Sequence, residues 1–152
     1  MITNERLSEA LAYCRETGQF TWPDGRRAGC IKAGKYVVIR IDGKLHYAHR
    51  LAWQAANGTP PGGVIDHING NGLDNRLCNL RCVSTRINSQ NRRTPGRETA
   101  SGLLGVQRNH GGWQALIQTE EGRISLGTYK SKEEAYSAYL TAKRVHHEGC
   151  TI

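Results

Sequence analysis

Apolar residues at the start of the chain recur at helical spacing: Leu7, Ala10, Leu11 and Cys14 share one face of a helix expected over Leu7 to Glu16, with Thr3 or Asn4 as cap and Gly18 as stop. The period then falls to two. Gln19 to Trp22 reads as a strand with Phe20 and Trp22 on one core-facing side, closed by the Pro23-Asp24-Gly25 turn. Tyr36 to Ile41 and Lys44 to His49 are β-prone runs joined by Asp42-Gly43, a strong hairpin signal, and either face of the first run can pack inward. His49 to Ala56 reads as a helix, stopped by Asn57-Gly58 and Pro60-Pro61. Val64 and Ile65 restore the strand pattern, a polar loop rich in Asn and Gly follows, then Leu80 and Val83, then a helix-compatible run from Arg86 to Asn91. Residues 94–102 are polar, basic and broken by Pro95-Gly96, the composition of a linker. Three short strands are expected beyond it, at 105–109, 113–118 and 123–129, and then a helix from Lys132 to about His147. Ser131 and Glu134 form a capping box for that helix. Ala135, Ala138, Tyr139, Ala142 and Val145 give it a small-residue face toward the sheet, which alternation matches with Trp113, Ala115, Ile117, Ile124 and Leu126. Gln107, Asn109, Gln114, Leu116, Gln118, Arg123 and Ser125 face the other way. The pattern predicts an α+β chain.

Composition narrows the partners. Among 152 residues, 18 are Gly and one is Phe, so any core is modest and turns are many. Lys and Arg total 21 against 13 acids, a net charge of +8, which favours a polyanion whose condensed counterions are released on binding. Arg26, Arg27, Lys32, Lys35, Arg40 and Lys44 crowd one region, as a solvated face or as phosphate contacts. No apolar run approaches the roughly 20 residues of a spanning helix, so no membrane partner is expected. The first residues lack a basic and apolar leader, and the expectation is a cytoplasmic protein. The five cysteines are scattered without a CxxC pair, which predicts reduced thiols and no structural zinc.

The chemistry concentrates at Asp66-His67. A carboxylate beside an imidazole at a strand end, with Asn79 and Asn88 downstream, offers oxygen donors for a hard cation, whereas structural zinc asks for Cys and His pairs. Asn69, Gly70, Asn71, Asp74 and Asn75 read as turn formers. At these residues the sequence resembles the HNH nuclease family, in the subgroup that includes phage and intron-encoded homing endonucleases. The resemblance implies a ββα-metal fold holding one divalent ion, Mg or Mn, between Asp66 and Asn88. It implies His67 as general base, and Asn79 as the residue that steadies the hairpin loop and the His67 ring. The upstream His49-Arg50-Leu51 segment resembles the subgroup's buttressing helix, with His49 as a packing residue in preference to one that approaches the scissile phosphate. On this reading residues 1–93 form an N-terminal hairpin region plus the nuclease domain, with its core at 46–93.

After the linker, Gly105-Val106, the Trp113 strand, Leu126-Gly127-Thr128-Tyr129 and Glu133 to Tyr139 resemble the APETALA2-type DNA-binding domain, over residues 103–152. The resemblance implies a three-stranded antiparallel sheet packed on one helix. It implies double-stranded DNA as partner, met by Gln107, Asn109, Gln118, Arg123 and Ser125, of which Arg123 alone keeps the family's arginine. Arg92, Arg93 and Arg97 are candidates to follow the DNA backbone. Together the two resemblances imply an HNH endonuclease of homing type. With one copy of the motif, a monomer nicks one strand, and a double-strand cut needs a homodimer or two events. Two rival readings are a non-catalytic DNA-binding protein on the same scaffold and a nonspecific or RNA-directed nuclease.

Overall fold

A computed structural model of the chain describes residues 2–95 and 98–152. Met1, Gly96 and Arg97 lie outside the described residues, so the middle of the expected linker and the Arg97 contact have no structural account. Two compact units are formed, Met1–Thr85 and Arg86–Ile152.

In the first unit, helix α1 spans Asn4–Ala10 and is capped by the Thr3 hydroxyl, which accepts from the Arg6 amide at 3.2 Å. It ends well before the expected Glu16. Strand β1 (Ala12–Tyr13) is extended instead, and pairs with β2 (Phe20–Thr21) so that the Tyr13 and Phe20 rings stack at 4.8 Å. Burying an aromatic pair outweighs a further helical turn whose outer residue, Cys14, is left exposed. Strand β3 (Arg27–Ala28) completes that small sheet. Phe20 is buried, while Trp22 packs only partly against the core.

Strands β4 (Cys30–Lys32), β5 (Tyr36–Ile41) and β6 (Lys44–Tyr47) form a second antiparallel sheet. Its tight turn sets both Asp42 and Gly43 at positive φ, 48° and 76°, which explains the Asp-Gly pair. Ile39 and Ile41 point inward to meet Leu7, Leu11, Phe20, Leu51, Ile65 and Leu80. Helix α2 (Ala48–Asn57) lays Ala48, Leu51 and Ala52 on the same core and stops at Gly58 in the left-handed conformation. Strands β7 (Val64–His67) and β8 (Leu80–Val83) pair as a two-stranded ribbon, with a short 3-10 turn at Leu77–Asn79 that sequence periodicity does not reveal.

Helix α3 (Thr85–Gln90) starts at the division between units, and from Arg86 onward it counts with the second. There β9 (Val106–Asn109), β10 (Gly112–Gln118) and β11 (Arg123–Tyr129) form an antiparallel sheet in the order β11-β10-β9, packed against helix α4 (Lys132–His146). The core consists of Val106, Ala115, Ile117, Ala135 and Tyr139. Gly105 is required: a Cβ there would stand 2.1 Å from the Tyr139 ring, and its φ is +69°. Residues just before this sheet are packed too, since the buried Ser101 hydroxyl donates to the Val106 carbonyl at 2.7 Å.

In the second unit, two expected core residues are not in the core. Val145 is 76% exposed, because the buried stripe advances by four residues a step through Ala135, Tyr139 and Lys143 and so turns away from it. Lys143 fills that stripe with its stem and donates from Nζ to the Arg92 carbonyl at 2.6 Å. Ile124 lies opposite Ile117, but on the edge strand β11, and is 37% exposed. A bulge between Ala115 and Leu116 breaks the strict alternation along this pair of strands.

The capping box of α4 is formed: the Ser131 hydroxyl accepts from the Glu134 amide at 3.2 Å, and the Glu134 carboxylate accepts from the Ser131 amide at 3.4 Å. Ser131→Ala is expected to cost about 1 kcal/mol in urea unfolding. An unchanged midpoint would show that the box adds nothing. No helix among the described residues is long and apolar enough to cross a membrane.

Candidate active site

The ribbon β7–β8 places Asp66 opposite Arg81 and His67 opposite Leu80. Both Asp66 and His67 are buried, each about 6% exposed, although strand alternation alone would send one of them to solvent. The Asp66 Oδ2 atom accepts from Arg81 Nε at 2.9 Å, and the second guanidinium nitrogen lies 2.8 Å from the same oxygen. This compensation is what lets a carboxylate sit inside the ribbon.

Several of the connecting loop's own polar residues hold its turns. Asn69 Oδ1 accepts from the Asn71 amide at 2.8 Å, Asn71 Oδ1 from the Leu73 amide at 3.1 Å, and Asn69 Nδ2 donates to Asp74 at 2.8 Å. Arg76 grips Asp74 from two nitrogens and holds its carboxyl down to about 2. Asn79 ties the two ends of the loop: its Oδ1 accepts from the Asn69 amide at 2.9 Å and its Nδ2 donates to the Asp74 carbonyl at 2.8 Å. Asn75 is hydrogen-bonded to the His67 ring, its Oδ1 accepting at 3.3 Å from Nε2. In the sequence Asn75 reads as a turn former; its place eight residues after His67 in a folded-back loop is the one signal that marks it.

Aromatic rings wall the imidazole. His49 meets His67 edge-on at 5.1 Å, Tyr47 stacks on His49 at 5.4 Å, and Tyr36 stands 6.2 Å from His67. Gly72 lets the loop press against this wall, since a Cβ there would fall 2.2 Å from the Lys35 carbonyl and 2.7 Å from the Tyr36 ring. Burial pushes the His67 imidazole below its ordinary value, against the opposing pull of its Asn75 hydrogen bond and the Asp66 and Asp74 charges. Burial, followed by repulsion from His67 and Arg50, lowers His49 to about 4. Both shifts favour the neutral imidazole, the form that accepts a proton.

The remaining candidates lie in the second unit. Asn88 is half-buried on α3. Arg92 and Arg93 are exposed; the Arg93 guanidinium donates to the Thr151 hydroxyl at 3.0 Å. On the outer face of the three-stranded sheet, Arg123 donates to Gln107 at 3.2 Å, Gln107 to Gln114 at 3.1 Å, and Gln114 to the Ser125 hydroxyl at 3.0 Å. That row brings together Gln107, Arg123 and Ser125, with Gln114 at its centre. Asn109 and Gln118 are instead bonded to neighbouring backbone, at the His110 amide and the Thr119 carbonyl. Arg108 turns to the opposite side and covers the Trp113 ring at 5.0 Å.

No three His, Cys, Asp or Glu side chains converge among the described residues. The oxygen donor of the ribbon, the Asp66 carboxylate, is of the kind that hard divalent cations take.

Residues 46–90 match the HNH endonuclease family. Protein 3.8 of Escherichia phage T7 is 35% identical over 101 residues, covering 64% of this chain and 83% of that protein. A solved structure of DNA binding and cleavage by the HNH homing endonuclease I-HmuI is similar with a TM-score of 0.44 at 20% identity, over 92% of this chain and 88% of that one. The chain therefore carries an HNH endonuclease domain at residues 46–90 and belongs to the family of phage T7 protein 3.8.

Proposed function

We propose that the protein is a divalent-metal-dependent DNA endonuclease that nicks one strand of a duplex, of homing type, guided by a C-terminal DNA-binding unit. The observation that carries this reading is the buried His67 fixed beside the buried Asp66 in the β7–β8 ribbon of the HNH domain. His67 takes the proton of the water that attacks the phosphodiester. Asp66 and Asn88 are the residues that would hold the ion, which when bound offsets charge on the leaving oxygen. Asn79 keeps the loop closed so that His67 and Asp66 stay at the strand end.

Residues 103–152 act on this proposal as an APETALA2-type reader of duplex DNA, after a linker at 94–102 that follows the nuclease domain of 1–93. Their support is the three-stranded sheet on one helix with the polar row Gln107, Gln114, Arg123 and Ser125 on its open face. Asn109 and Gln118 flank the row, and Arg92 and Arg93 supply charge before it. Base edges in the major groove offer the donors and acceptors such a row can read.

One HNH domain cuts one strand, so a monomer converts supercoiled plasmid to open circle, and linear product appears only through a homodimer or a second event. The test is plasmid conversion in Mg or Mn against a chelator control. Conversion that requires metal is the expected result. A second reading, a DNA-binding protein without catalysis, is favoured by the Asp66–Arg81 pair, which already engages the carboxylate. Tight duplex binding with no cleavage in either metal would replace the first reading by the second.

A further inference from the structure

We infer that Asn75 is a positioning residue that fixes which nitrogen of His67 carries the proton, and that the N-terminal hairpin β1–β2 holds Asn75 in place to do so. The consequence for catalysis rests on the nuclease reading above; the tautomer itself does not.

Asn75 is 3% exposed, so its amide lies among protein groups. Its Nδ2 donates to the Leu73 carbonyl at 3.4 Å, and a carbonyl can only accept. That sets the orientation of the amide, with Oδ1 toward His67 Nε2 at 3.3 Å. An amide oxygen can only accept as well, so Nε2 is the N–H of the ring. In a neutral imidazole the proton-accepting lone pair then belongs to Nδ1.

The backbone of Asn75 is clamped from outside the nuclease ribbon. The half-buried Tyr13 hydroxyl, on β1, donates to the Asn75 carbonyl at 2.7 Å. Gly18, in the turn between β1 and β2, packs so closely that a Cβ would stand 2.4 Å from the Arg76 nitrogen and 2.5 Å from the Asn75 carbonyl carbon. The Leu77 amide donates to the Arg15 carbonyl at 3.1 Å. A hairpin with no chemistry of its own therefore braces the three residues Asn75, Arg76 and Leu77, and through Asn75 the imidazole. Burial drives the Tyr13 phenol up to about 12, so it stays a donor.

The ring nitrogens of His67 in the full chain can be read directly by long-range proton–nitrogen NMR, at about pH 8 where the ring is neutral. Wild type is expected to show a protonated Nε2 and a bare Nδ1. Asn75→Ala should shift both nitrogens toward an average of the two tautomers. Asn75→Asp, which keeps an acceptor toward Nε2 while setting its second oxygen against the Leu73 carbonyl, should still hold a proton on Nε2, and Tyr13→Phe should move the pattern part of the way toward the average. In the plasmid assay Asn75→Ala should lower kcat about 10-fold to 100-fold with KM unchanged. Wild-type protein with its proton on Nδ1, or an Asn75→Ala spectrum identical to wild type, would overturn the inference whether or not the protein cuts DNA. Because the wild-type spectrum decides by itself, a variant that fails to fold does not remove the test. An Nε2-protonated His67 in a protein that never cuts would leave this inference standing and remove the nuclease reading alone.

Discussion

His67→Ala is expected to slow plasmid nicking by about 100-fold to 10,000-fold, the contribution of a positioned general base. The ring is buried, hydrogen-bonded through Nε2 and walled by His49 and Tyr36, so no neighbouring group can swing into its place without displacing that wall. His49 is the nearest other imidazole, yet its ring meets His67 edge-on inside the same wall and stacks with Tyr47 behind it. Removing a buried ring also leaves a void, so the loss of rate must be read beside duplex affinity and unfolding midpoint. The expected pattern is a collapse of kcat with binding retained. Near wild-type cutting by a folded His67→Ala protein would take His67 out of the chemistry and leave Asp66 without a base beside it.

Acid should destabilise the protein through His49. Burial holds this ring at about 4 in the folded chain, against 6.5 when exposed, and its Nδ1 atom is buried without a hydrogen-bond partner. The groups facing it are His67, the rings of Tyr36 and Tyr47, and Arg50, none of which offers a negative charge. Above about pH 6.5 the ring is neutral in both states and nothing is lost. As the pH falls further, the unfolded chain takes up the proton first, so stability declines until the folded ring also titrates near 4. The gap corresponds to at most about 3 kcal/mol. Chemical unfolding at about pH 7 and about pH 4 should show the decline in wild type and a smaller one in His49→Phe, which keeps an aromatic ring in the wall. Equal slopes in the two proteins would place the acid-labile group elsewhere.

Local chemistry explains which features were legible in the sequence. Asp42-Gly43 marks its turn because two successive positive φ values suit few residue pairs, and Ser131 with Glu134 marks a helix start because both hydrogen bonds close within one turn. Asp66 and His67 stand out in the same way, as adjacent polar residues where a strand ends. What stayed hidden depends on partners far along the chain. Helix α1 gives way after Ala10 because Tyr13 finds Phe20, and nothing in the periodicity of Leu7, Ala10, Leu11 and Cys14 signals that competition. Lys143 replaces Val145 in the helix stripe because the Arg92 carbonyl, fifty-one residues away, accepts from its ammonium. Asn75 looks like any other Asn of a polar loop until the fold brings His67 to one side of it and Tyr13 to the other.

The helix that stops early has one more consequence, for redox handling. With Cys14 turned outward, and with Cys30 and Cys78 also exposed, the molecule carries three accessible thiols and no disulfide among its cysteines. In air such thiols couple between molecules. A covalent pair formed that way would run as a dimer on a sizing column, and would mimic the homodimer proposed above as one route to a double-strand cut. Sizing and cleavage measured side by side with and without reductant separate a pair made by oxidation from one made by the fold.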